Sequence, residues 1–364
     1  MKEKILLLCG TSQTVYTFRL GLIRTLKEKG YDVYVSALDD EYKEKLKEEG
    51  IELITVHSKN RSLNPFQICS QKRKYRKLIR EIQPSIVFTF MLKPNLLGAK
   101  AAQEEKVEKI FSMVEGAGDV FINETWKWKL IRAIVCRMYQ RAFAGVRKVF
   151  FLNEDDQAEF LTKKLLKQEQ CEIVRGVGVD LKKFSFEPIK NDKTFLMVAR
   201  MLKTKGVFEY CECARTVKKK YPDAQFLYLG AESTVTLDDI AEYLDDGSVQ
   251  YLGTTEDVRA YLAACTAYVL PSYREGMPVS VMEAQAVGRA VITCDSVGCK
   301  ETVIDGYNGF LVKVKDVGSM AEKCIKILED PQKAVKMGKN ARTFAEEYFD
   351  SEKINRQLLA VLED

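Results

Sequence analysis

Two glutamates, Glu275 and Glu283, are the residues of this chain whose spacing most strongly indicates ligand chemistry. The segment 268–293 around them predicts a strand, a sharp loop, a short helix and a second strand. Glu275 would lie in the loop, and Glu283 about 7.5 Å along the helix axis from its first residue, Pro278. One carboxylate before the helix and one within it could bind two diols of an elongated ligand. A nucleotide sugar has such diols, on the hexose and on the ribose, with a diphosphate between them.

The ends of this predicted helix indicate where an anion could bind. Pro278 suits the first helical position, where a missing N–H group costs nothing, and Gly288 suits the first position beyond the helix. Free amides near Gly276 and Met277 would then lie at the positive end of the helix, where phosphate and sugar oxygens bind. We therefore expect the segment from Gly276 through Met277 and Pro278 to Val279 to contact the ligand.

Two cations and two glycine turns extend this candidate site. Arg200 and Lys205 lie five residues apart in a loop after a predicted strand, where together they can neutralise a diphosphate. A strand that ends at Gly253 turns into a helix, and backbone groups there could bind a nucleobase edge. Gly10 and Thr11 follow the first strand, where small residues let amides approach a phosphate. Such loops end first strands in many α/β folds, so a purely structural role for Gly10 is equally compatible with the sequence.

Strand-like and helix-like segments alternate along the chain, which predicts parallel sheets covered by helices. In the first half we predict strands at Ile5–Cys9, Tyr31–Ser36, Glu52–Val56, Ile86–Phe90, Lys109–Val114 and Lys148–Leu152. Residues 18–28 have helical spacing, and the alternation breaks over residues 172–188. In the second half we predict strands at Phe195–Ala199, Gln225–Leu229, Val249–Leu252, Ala267–Pro271, Ala290–Cys294 and Gly309–Val312. We therefore expect two α/β domains with a boundary near 176–192, and a helical segment over 333–363.

Composition indicates an ordinary soluble globular protein. The 364 residues, 46% hydrophobic and 30% charged, suffice for two or more domains, and no run approaches the ~18 apolar residues of a membrane span. Ten cysteines are scattered, and none has the neighbours of a zinc site, so we favour reduced thiols. The acidic pairs at 39–40 and 155–156 are typical of helix starts rather than of a metal motif. No nucleic-acid-binding module is recognisable.

Residues 195–315 resemble the nucleotide-sugar domain of family-4 retaining glycosyltransferases, which have the GT-B architecture. The family pattern is an Arg…Lys-Gly loop, a strand-Gly turn, Pro-Ser…Glu-Gly-x-Pro…Glu-Ala, and Gly-x-x-Glu…Gly-x-x-Gly. In this chain it falls on Arg200, Lys205, Gly253, Glu275, Glu283, Glu301 and Gly309. The resemblance implies that Arg200 and Lys205 bind the donor diphosphate. It also implies that Glu275 and the following amides contact the donor sugar, and that Glu283 binds the ribose.

The same resemblance implies a fold and a domain plan. We expect an α/β protein of GT-B type, with two Rossmann-like domains facing across a cleft and a C-terminal helix crossing back to the first domain. We assign residues 1–180 to an acceptor-binding domain and residues 181–340 to a nucleotide-sugar-binding domain. The final helix, residues 341–364, would pack on the first domain.

The first half is similar to a subset of the family that extends glycans on undecaprenyl diphosphate. The shared segments are Lys93–Gly98, Glu115–Phe121 and Phe150–Asp156. From this similarity we predict acceptor contacts at Lys93, Asn95, Glu115 and Gly116. Many relatives carry a histidine near the reacting carbon, but the single histidine, His57, follows an early strand and is expected at the surface. Glu115 could instead orient the acceptor hydroxyl or stabilise the cationic sugar, or it could simply be solvated.

These features predict an enzyme, a retaining glycosyltransferase. It would move a hexose or N-acetylhexosamine from a UDP-sugar to a polyprenyl-diphosphate-linked saccharide, during assembly of a capsule, exopolysaccharide or O-antigen-type glycan. The catalytic residues would be Glu275, Arg200, Lys205 and Glu115, with no metal and no cofactor, since the UDP-sugar is a substrate. Two alternatives remain: a GT-B epimerase acting on a UDP-sugar, which a single histidine disfavours, and a non-catalytic nucleotide-sugar sensor or scaffold subunit.

Charge and one helix pattern bear on membrane contact. The first 180 residues carry 32 Lys and Arg against 24 Asp and Glu, and the remainder carries 25 against 28. Within Trp126–Phe143, apolar residues recur at helical spacing among five cations. That stripe could dock on anionic lipid, but we favour a helix whose apolar stripe faces the core. The basic excess still predicts peripheral attachment at the cytoplasmic face of the inner membrane, and no nucleic-acid partner.

Overall fold

A computed structural model describes residues 2–58, 65–118, 121, 125–190 and 193–364 of the chain. It divides the chain into two compact units, one built from residues 1–174 and 352–364 and the other from Arg175–Ser351. Residues 119–120 of the Glu115–Phe121 segment lie outside the described residues.

The first unit contains a seven-stranded parallel sheet in the order β3-β2-β1-β4-β5-β6-β7. The strands are β1 (Lys4–Leu8), β2 (Asp32–Ala37), β3 (Leu53–Thr55), β4 (Ile86–Phe90), β5 (Lys109–Val114), β6 (Lys148–Phe151) and β7 (Cys171–Ile173). Every residue of β4 is buried, as expected where helices cover both faces of a parallel sheet. We did not predict the edge strand β7, because it lies where the apolar pattern breaks.

Helices cover this sheet and pack on its apolar side chains. They are α1 (Ser12–Phe18), α2 (Leu20–Glu28), α3 (Lys43–Glu48), α4 (Pro65–Ile82), α5 (Ala99–Glu104), α6 (Trp126–Phe143) and α7 (Glu154–Thr162). A π-helical turn, Pro94–Gly98, leads into α5. The helical spacing predicted at residues 18–28 corresponds to α2. The buried residue Arg19 separates this helix from α1.

The second unit contains a six-stranded parallel sheet in the order β10-β9-β8-β11-β12-β13. Its strands are β8 (Thr194–Val198), β9 (Gln225–Leu229), β10 (Gln250–Tyr251), β11 (Ala267–Leu270), β12 (Ala290–Cys294) and β13 (Gly309–Val312). Its helices are α8 (Val207–Lys220), α9 (Ala241–Asp245), α10 (Arg259–Ala264), α11 (Val279–Ala286), α12 (Val317–Glu329) and α13 (Pro331–Tyr348). All six predicted strands are present, within one or two residues at their ends.

The C-terminal helical segment is two helices. It consists of α13, which belongs to the second unit, and α14 (Ser351–Glu363), which belongs to the first from Glu352 onward. Val179 pairs with the turn between these helices: its amide donates to Phe349, and its carbonyl oxygen accepts from Ser351. These bonds keep residues 175–180 with the second unit. In the first unit, the Gln357 amide donates to the carbonyl oxygen of Ile173.

One glycine of the second unit is required by both its backbone and its neighbours. Gly206 precedes α8 with φ of +77°, a conformation that side chains disfavour. A Cβ atom there would overlap the carbonyl oxygen of Pro271, the residue that follows β11. Gly247 has a similar φ of +70°, but a Cβ atom there would meet nothing within 4 Å. A comparison of Gly206 with Gly247 therefore distinguishes the cost of a positive φ from the cost of a steric overlap.

We expect Gly206→Ala to lower the free energy of unfolding by about 3 kcal/mol, because it adds an overlap with Pro271 to the cost of a positive φ. Gly247→Ala, the matched control, should lose only about 1 kcal/mol from the positive φ. Urea unfolding of both variants and the wild type measures the difference. Equal losses would show that the approach of Gly206 to Pro271 contributes nothing.

Candidate functional site

The strand order of the second unit creates a binding edge. Its first strand, β8, lies in the middle of the sheet, and the chain continues on one side to β9 and β10 and on the other to β11, β12 and β13. The loops after β8 and β11 therefore diverge, and this switch point is where ligands bind in open α/β sheets. Arg200 and Lys205 lie in the first of these loops and Glu275 in the second. The fold therefore brings these three residues to the loops at the switch point.

An ion pair joins these two loops. The Lys205 ammonium contacts the Glu275 carboxylate, and both side chains are largely shielded from water. The Tyr273 amide donates to the carbonyl oxygen of Thr204 at 2.9 Å, and the Ser272 hydroxyl donates to the same oxygen at 3.2 Å. One cation and one carboxylate of the predicted set are therefore held together by a bonded frame. Arg200 is exposed at the start of the same loop.

The loop after β12 closes the frame on its other side. The Glu275 amide donates to the carbonyl oxygen of Val297 at 2.9 Å, and the Ser296 hydroxyl donates to that of Ser272 at 2.9 Å. Gly298 has φ of +80°, and a Cβ atom there would overlap the backbone oxygens of Glu275 and Gly276. Only glycine at this position allows the two loops to approach so closely.

Helix α11 begins directly after the Glu275 loop. Pro278 is its N-cap residue and Val279 its first helical residue, so the expectation that Pro278 occupies the first helical position is wrong by one residue. Proline has no side-chain acceptor, and the first-turn amides of α11 therefore receive no side-chain cap. Gly288, with φ of +86°, follows the C-cap residue Val287 as predicted. The positive end of α11 thus points to the same edge as Lys205 and Glu275.

Glu283 lies within α11 and is half-buried. Burial raises the pKa of its carboxyl group from 4.5 to about 7, the positive charge of Lys183 opposes this rise, and the negative charge of Asp257 adds to it. A carboxylate that is costly to ionise in this position gains from a ligand hydroxyl that donates a hydrogen bond to it.

Gly253 follows β10, the edge strand on the other side of β8 from β11 and β12, which α11 connects. Its φ is +77°, its carbonyl oxygen accepts from the Gly230 amide at 2.8 Å, and a Cβ atom there would meet nothing within 4 Å. The open side of this turn is the property that a backbone contact with a base would require.

The first unit repeats this strand order, with β1 and β4 at its switch point. Gly10 follows β1, and a Cβ atom there would press against the Met91 side chain, which follows β4. Thr11 caps α1 by accepting from the Thr14 amide, and the Asp39 carboxylate accepts from the Ser12 amide at 3.0 Å. These contacts account for Gly10 and Thr11 without a ligand. They also correct our interpretation of Asp39, which caps α1 from the end of β2 instead of starting a helix.

The predicted acceptor residues lie at the carboxyl ends of β4 and β5 but differ in availability. Asn95 is buried: its side-chain oxygen accepts from Thr89 and its amide donates to the carbonyl oxygen of Met113, each at 2.7 Å. These two hydrogen bonds connect Asn95 to β4 and β5. Lys93 is also buried, and burial lowers the pKa of its ammonium group.

Glu115 follows β5 and forms an ion pair with Arg19, a residue that sequence reasoning missed. Arg19 is buried between α1 and α2, with its guanidinium 4.3 Å from the centre of the Phe90 ring. Burial lowers the pKa of Arg19 to about 10, so the group remains a cation at neutral pH. Glu115 is therefore not a solvated loop residue, because a buried cation holds its carboxylate beside Gly116 at this edge of the sheet.

His57 is exposed, as expected. Among the described residues there is no group of three or more His, Cys, Asp or Glu side chains arranged to hold a metal ion. All ten cysteines are free thiols.

Two Rossmann-like units, with an ion-paired carboxylate and an uncapped helix at the switch point of the second, agree with the expected glycosyltransferase of the GT-B class. Comparison with known proteins gives the family. Residues 179–344 match the model described as "Glycosyl transferases group 1", and residues 4–153 match "Glycosyl transferase 4-like". The chain belongs to this glycosyltransferase family.

Two relatives illustrate the similarity. The chain is 32% identical over 352 residues to the N,N'-diacetylbacillosaminyl-diphospho-undecaprenol alpha-1,3-N-acetylgalactosaminyltransferase of Campylobacter jejuni, covering 93% of each protein. It is 27% identical over 284 residues to the UDP-Gal:alpha-D-GlcNAc-diphosphoundecaprenol alpha-1,3-galactosyltransferase of Escherichia coli, covering 73% of this chain and 72% of that protein. Among solved structures, Anabaena HepE in complex with UDP superposes with a TM-score of 0.83 over 100% of both chains, at 18% identity.

The raised pKa of Glu283 predicts how stability depends on pH. A carboxyl group whose folded-state pKa lies above its unfolded value stabilises the fold fully below pH ~4.5 and loses that contribution as pH rises through about 7. Glu283→Gln removes the titration. We therefore expect the unfolding free energy of the variant, relative to wild type, to rise by about 1–3 kcal/mol between pH 5 and pH 8. Urea unfolding across this range measures it, and parallel profiles would contradict the assignment.

Proposed function

We propose that this glycosyltransferase moves a sugar from a UDP-sugar to a saccharide carried on a polyprenyl diphosphate, with retention of anomeric configuration and without a metal ion. The observation that supports the UDP-sugar donor is the set of bonded loops at the switch point of the second unit. There Lys205 contacts Glu275 beside the N-terminus of α11. The product would enter a surface polysaccharide or related glycan, and the enzyme would work at the cytoplasmic face of the membrane.

The donor assignment follows from charge and geometry. A diphosphate carries two or more negative charges, which Arg200, Lys205 and the first-turn amides of α11 can share. Glu275, oriented by Lys205, is then placed to accept hydrogen bonds from the donor sugar, and Glu283 from the ribose. A UDP-bound structure among the fold neighbours, and a relative whose name specifies a UDP-galactose donor, support uracil as the base of the donor nucleotide.

The acceptor assignment rests on relatives and on Glu115. Both relatives described above are named for diphospho-undecaprenol-linked acceptors, and the first is similar along nearly the whole chain. In the first unit, Arg19 fixes the Glu115 carboxylate at the end of β5. We assign to Glu115 the contact with the acceptor hydroxyl, and to Lys93 and Gly116 the neighbouring positions. Asn95 acts through packing, since its amide is engaged inside the unit.

The reaction requires no covalent enzyme intermediate. Glu275 is engaged by Lys205, whereas the charges that act on Glu283 are those of Lys183 and Asp257, and we assign no shared nucleophilic role to the two carboxylates. In our proposal the bond from the sugar anomeric carbon to the diphosphate breaks as the acceptor oxygen bonds to the same face. The leaving diphosphate oxygen takes the acceptor proton, giving UDP and the extended glycan. Arg200, Lys205 and the α11 amides stabilise the charge on the leaving group.

Arg200→Ala should weaken UDP binding about ten- to hundredfold, because a charge-assisted contact contributes about 1.5–3 kcal/mol. Lys203→Ala is the matched control, since Lys203 is an exposed cation in the same loop and no role is assigned to it. Titration calorimetry with UDP measures both. Unchanged affinity in the Arg200 variant, or equal losses in the two variants, would remove Arg200 from the diphosphate site.

Glu275→Ala should lower sugar transfer by at least about a hundredfold, because it removes the carboxylate and releases Lys205. A thermal-shift screen of UDP-, GDP- and ADP-sugars first selects the donor. Transfer of its radiolabelled sugar to a membrane extract is then measured for the variant, for wild type with and without a chelator, and for the exposed control Glu232→Ala.

Each outcome of this experiment has one meaning. Near-normal transfer by Glu275→Ala excludes Glu275 from the site, and loss of wild-type transfer with the chelator contradicts metal independence. Donor binding without label in lipid favours the non-catalytic sensor. An inverted anomeric configuration in the product, read by NMR, contradicts retention.

A further inference from the structure

Helix α6 of the first unit has an apolar face that the unit does not cover. Trp126, Leu130 and Ile134 are 72%, 59% and 55% exposed. Because they follow one another at intervals of four residues, they lie on one side of the helix. Arg137 and Arg141 are exposed along the same side. At 3.6 residues per turn these five positions fall within an arc of about 80°.

The opposite face of α6 already supplies the core contacts. Val135, Tyr139 and Ala142 are buried, and Ile131 and Met138 pack partly against the same core. Our expectation that Leu130 and Ile134 belong to a core-facing stripe is therefore wrong. The helix has two apolar faces, of which one meets the sheet and the other is exposed, and an exposed contiguous apolar face marks an interaction surface.

Charge identifies the partner. Helix α6 contains five cations and no carboxylate. Lys127, Arg137 and Arg141 have no ion-pair partner among the described residues. Most cations of α4 differ in this respect, because Lys72 and Arg76 pair with Glu104, and Arg80 pairs with Glu105. An apolar stripe led by tryptophan and flanked by uncompensated cations is the pattern that anionic lipid surfaces attract.

The position of this face relates it to the acceptor side. Helix α6 leaves the loop after β5 and returns before β6, so its N-terminal half, which carries Trp126, lies toward the carboxyl edge of the sheet. Glu115 lies at that edge, at the end of β5. Trp126 and Ile134 are separated by about 12 Å along the helix axis, which is enough for two turns to lie in a bilayer interface.

We infer that the exposed face of α6, defined by Trp126, Leu130, Ile134, Arg137 and Arg141, docks the enzyme on an anionic membrane in which the acceptor lipid is embedded. The inference rests on the proposed lipid-linked acceptor for its biological purpose but not for its physical test. The proposed attachment is interfacial, through this one face. Every helix in the described part of the chain is too short or too polar to span a bilayer.

Sedimentation with vesicles tests this surface directly. Wild-type protein should bind vesicles of equal phosphatidylglycerol and phosphatidylcholine, bind pure phosphatidylcholine vesicles at least about tenfold more weakly, and lose affinity as salt rises. Leu130→Gln/Ile134→Gln should bind anionic vesicles at least about tenfold more weakly. Arg137→Gln/Arg141→Gln should also bind about tenfold or more weakly, with a reduced dependence on salt.

Matched controls separate this face from general surface properties. Ile304→Gln removes an exposed apolar side chain from the second unit, and Lys336→Gln/Lys339→Gln removes two exposed cations from α13. Both should bind vesicles as the wild type does. Because every substituted side chain is exposed, circular dichroism and thermal unfolding should be unchanged in all four variants.

Transfer assays distinguish failure of the docking surface from failure of the proposed function. With an acceptor on a short, water-soluble prenyl chain the α6 variants should transfer sugar at the wild-type rate, and with acceptor embedded in anionic vesicles they should be slower. Absence of wild-type transfer to both acceptors refutes the function and leaves the vesicle result to decide the surface. Vesicle binding that is undetectable in the wild type, or unaltered in the α6 variants, overturns the inference. So does a wild-type dimer that these substitutions dissociate, since the face would then bind a second copy.

Discussion

The proposed donor site depends on the joining of three loops at one edge of the second sheet. A parallel sheet brings the carboxyl ends of its strands together, but the loops beyond them are independent segments whose side chains need further support. Here the Lys205–Glu275 ion pair and the Glu275–Val297 hydrogen bond connect the loops after β8, β11 and β12. Gly206 and Gly298 allow the backbones to meet. The carboxylate and the ammonium are therefore positioned before any ligand arrives, which is the condition for electrostatic stabilisation of a leaving group.

The two units share a strand order, but the helix N-termini at their switch points differ. The helices compared are α1, which follows β1 in the first unit, and α11, which follows β11 in the second. In the first unit the Asp39 carboxylate and the Thr11 hydroxyl already accept from the first amides of α1. In the second unit α11 begins at a proline that cannot cap it. An anion is repelled by the carboxylate at α1 and attracted by the uncompensated end of α11. This difference between the two helix ends supports our proposal that the diphosphate binds in the second unit.

Much of the fold was predictable from sequence because buried parallel strands are continuous apolar runs, as β4 and β12 show. The site was predictable where glycine, proline and charged residues lie close together in sequence, as in the Glu275 loop. Arg19 was not predictable, because its partner Glu115 and its neighbour Phe90 come from distant strands. The hydrogen bonds of Asn95 were not predictable for the same reason: they join β4 to β5, and no local pattern distinguishes such an amide from one that faces a ligand.

Helix α6 shows a further limit of periodicity. Apolar residues at helical spacing identify a helix that is apolar on more than one side, but they do not identify which side meets the sheet. The sheet decides this, because Val135 and Tyr139 pack against it and Leu130 and Ile134 then have no surface within the unit to cover. Retaining such side chains in water costs solubility, and natural monomers seldom expose contiguous apolar patches without a partner. A lipid-linked acceptor supplies a reason for this exposure, since its reactive end can be reached only by an enzyme whose acceptor edge approaches the bilayer.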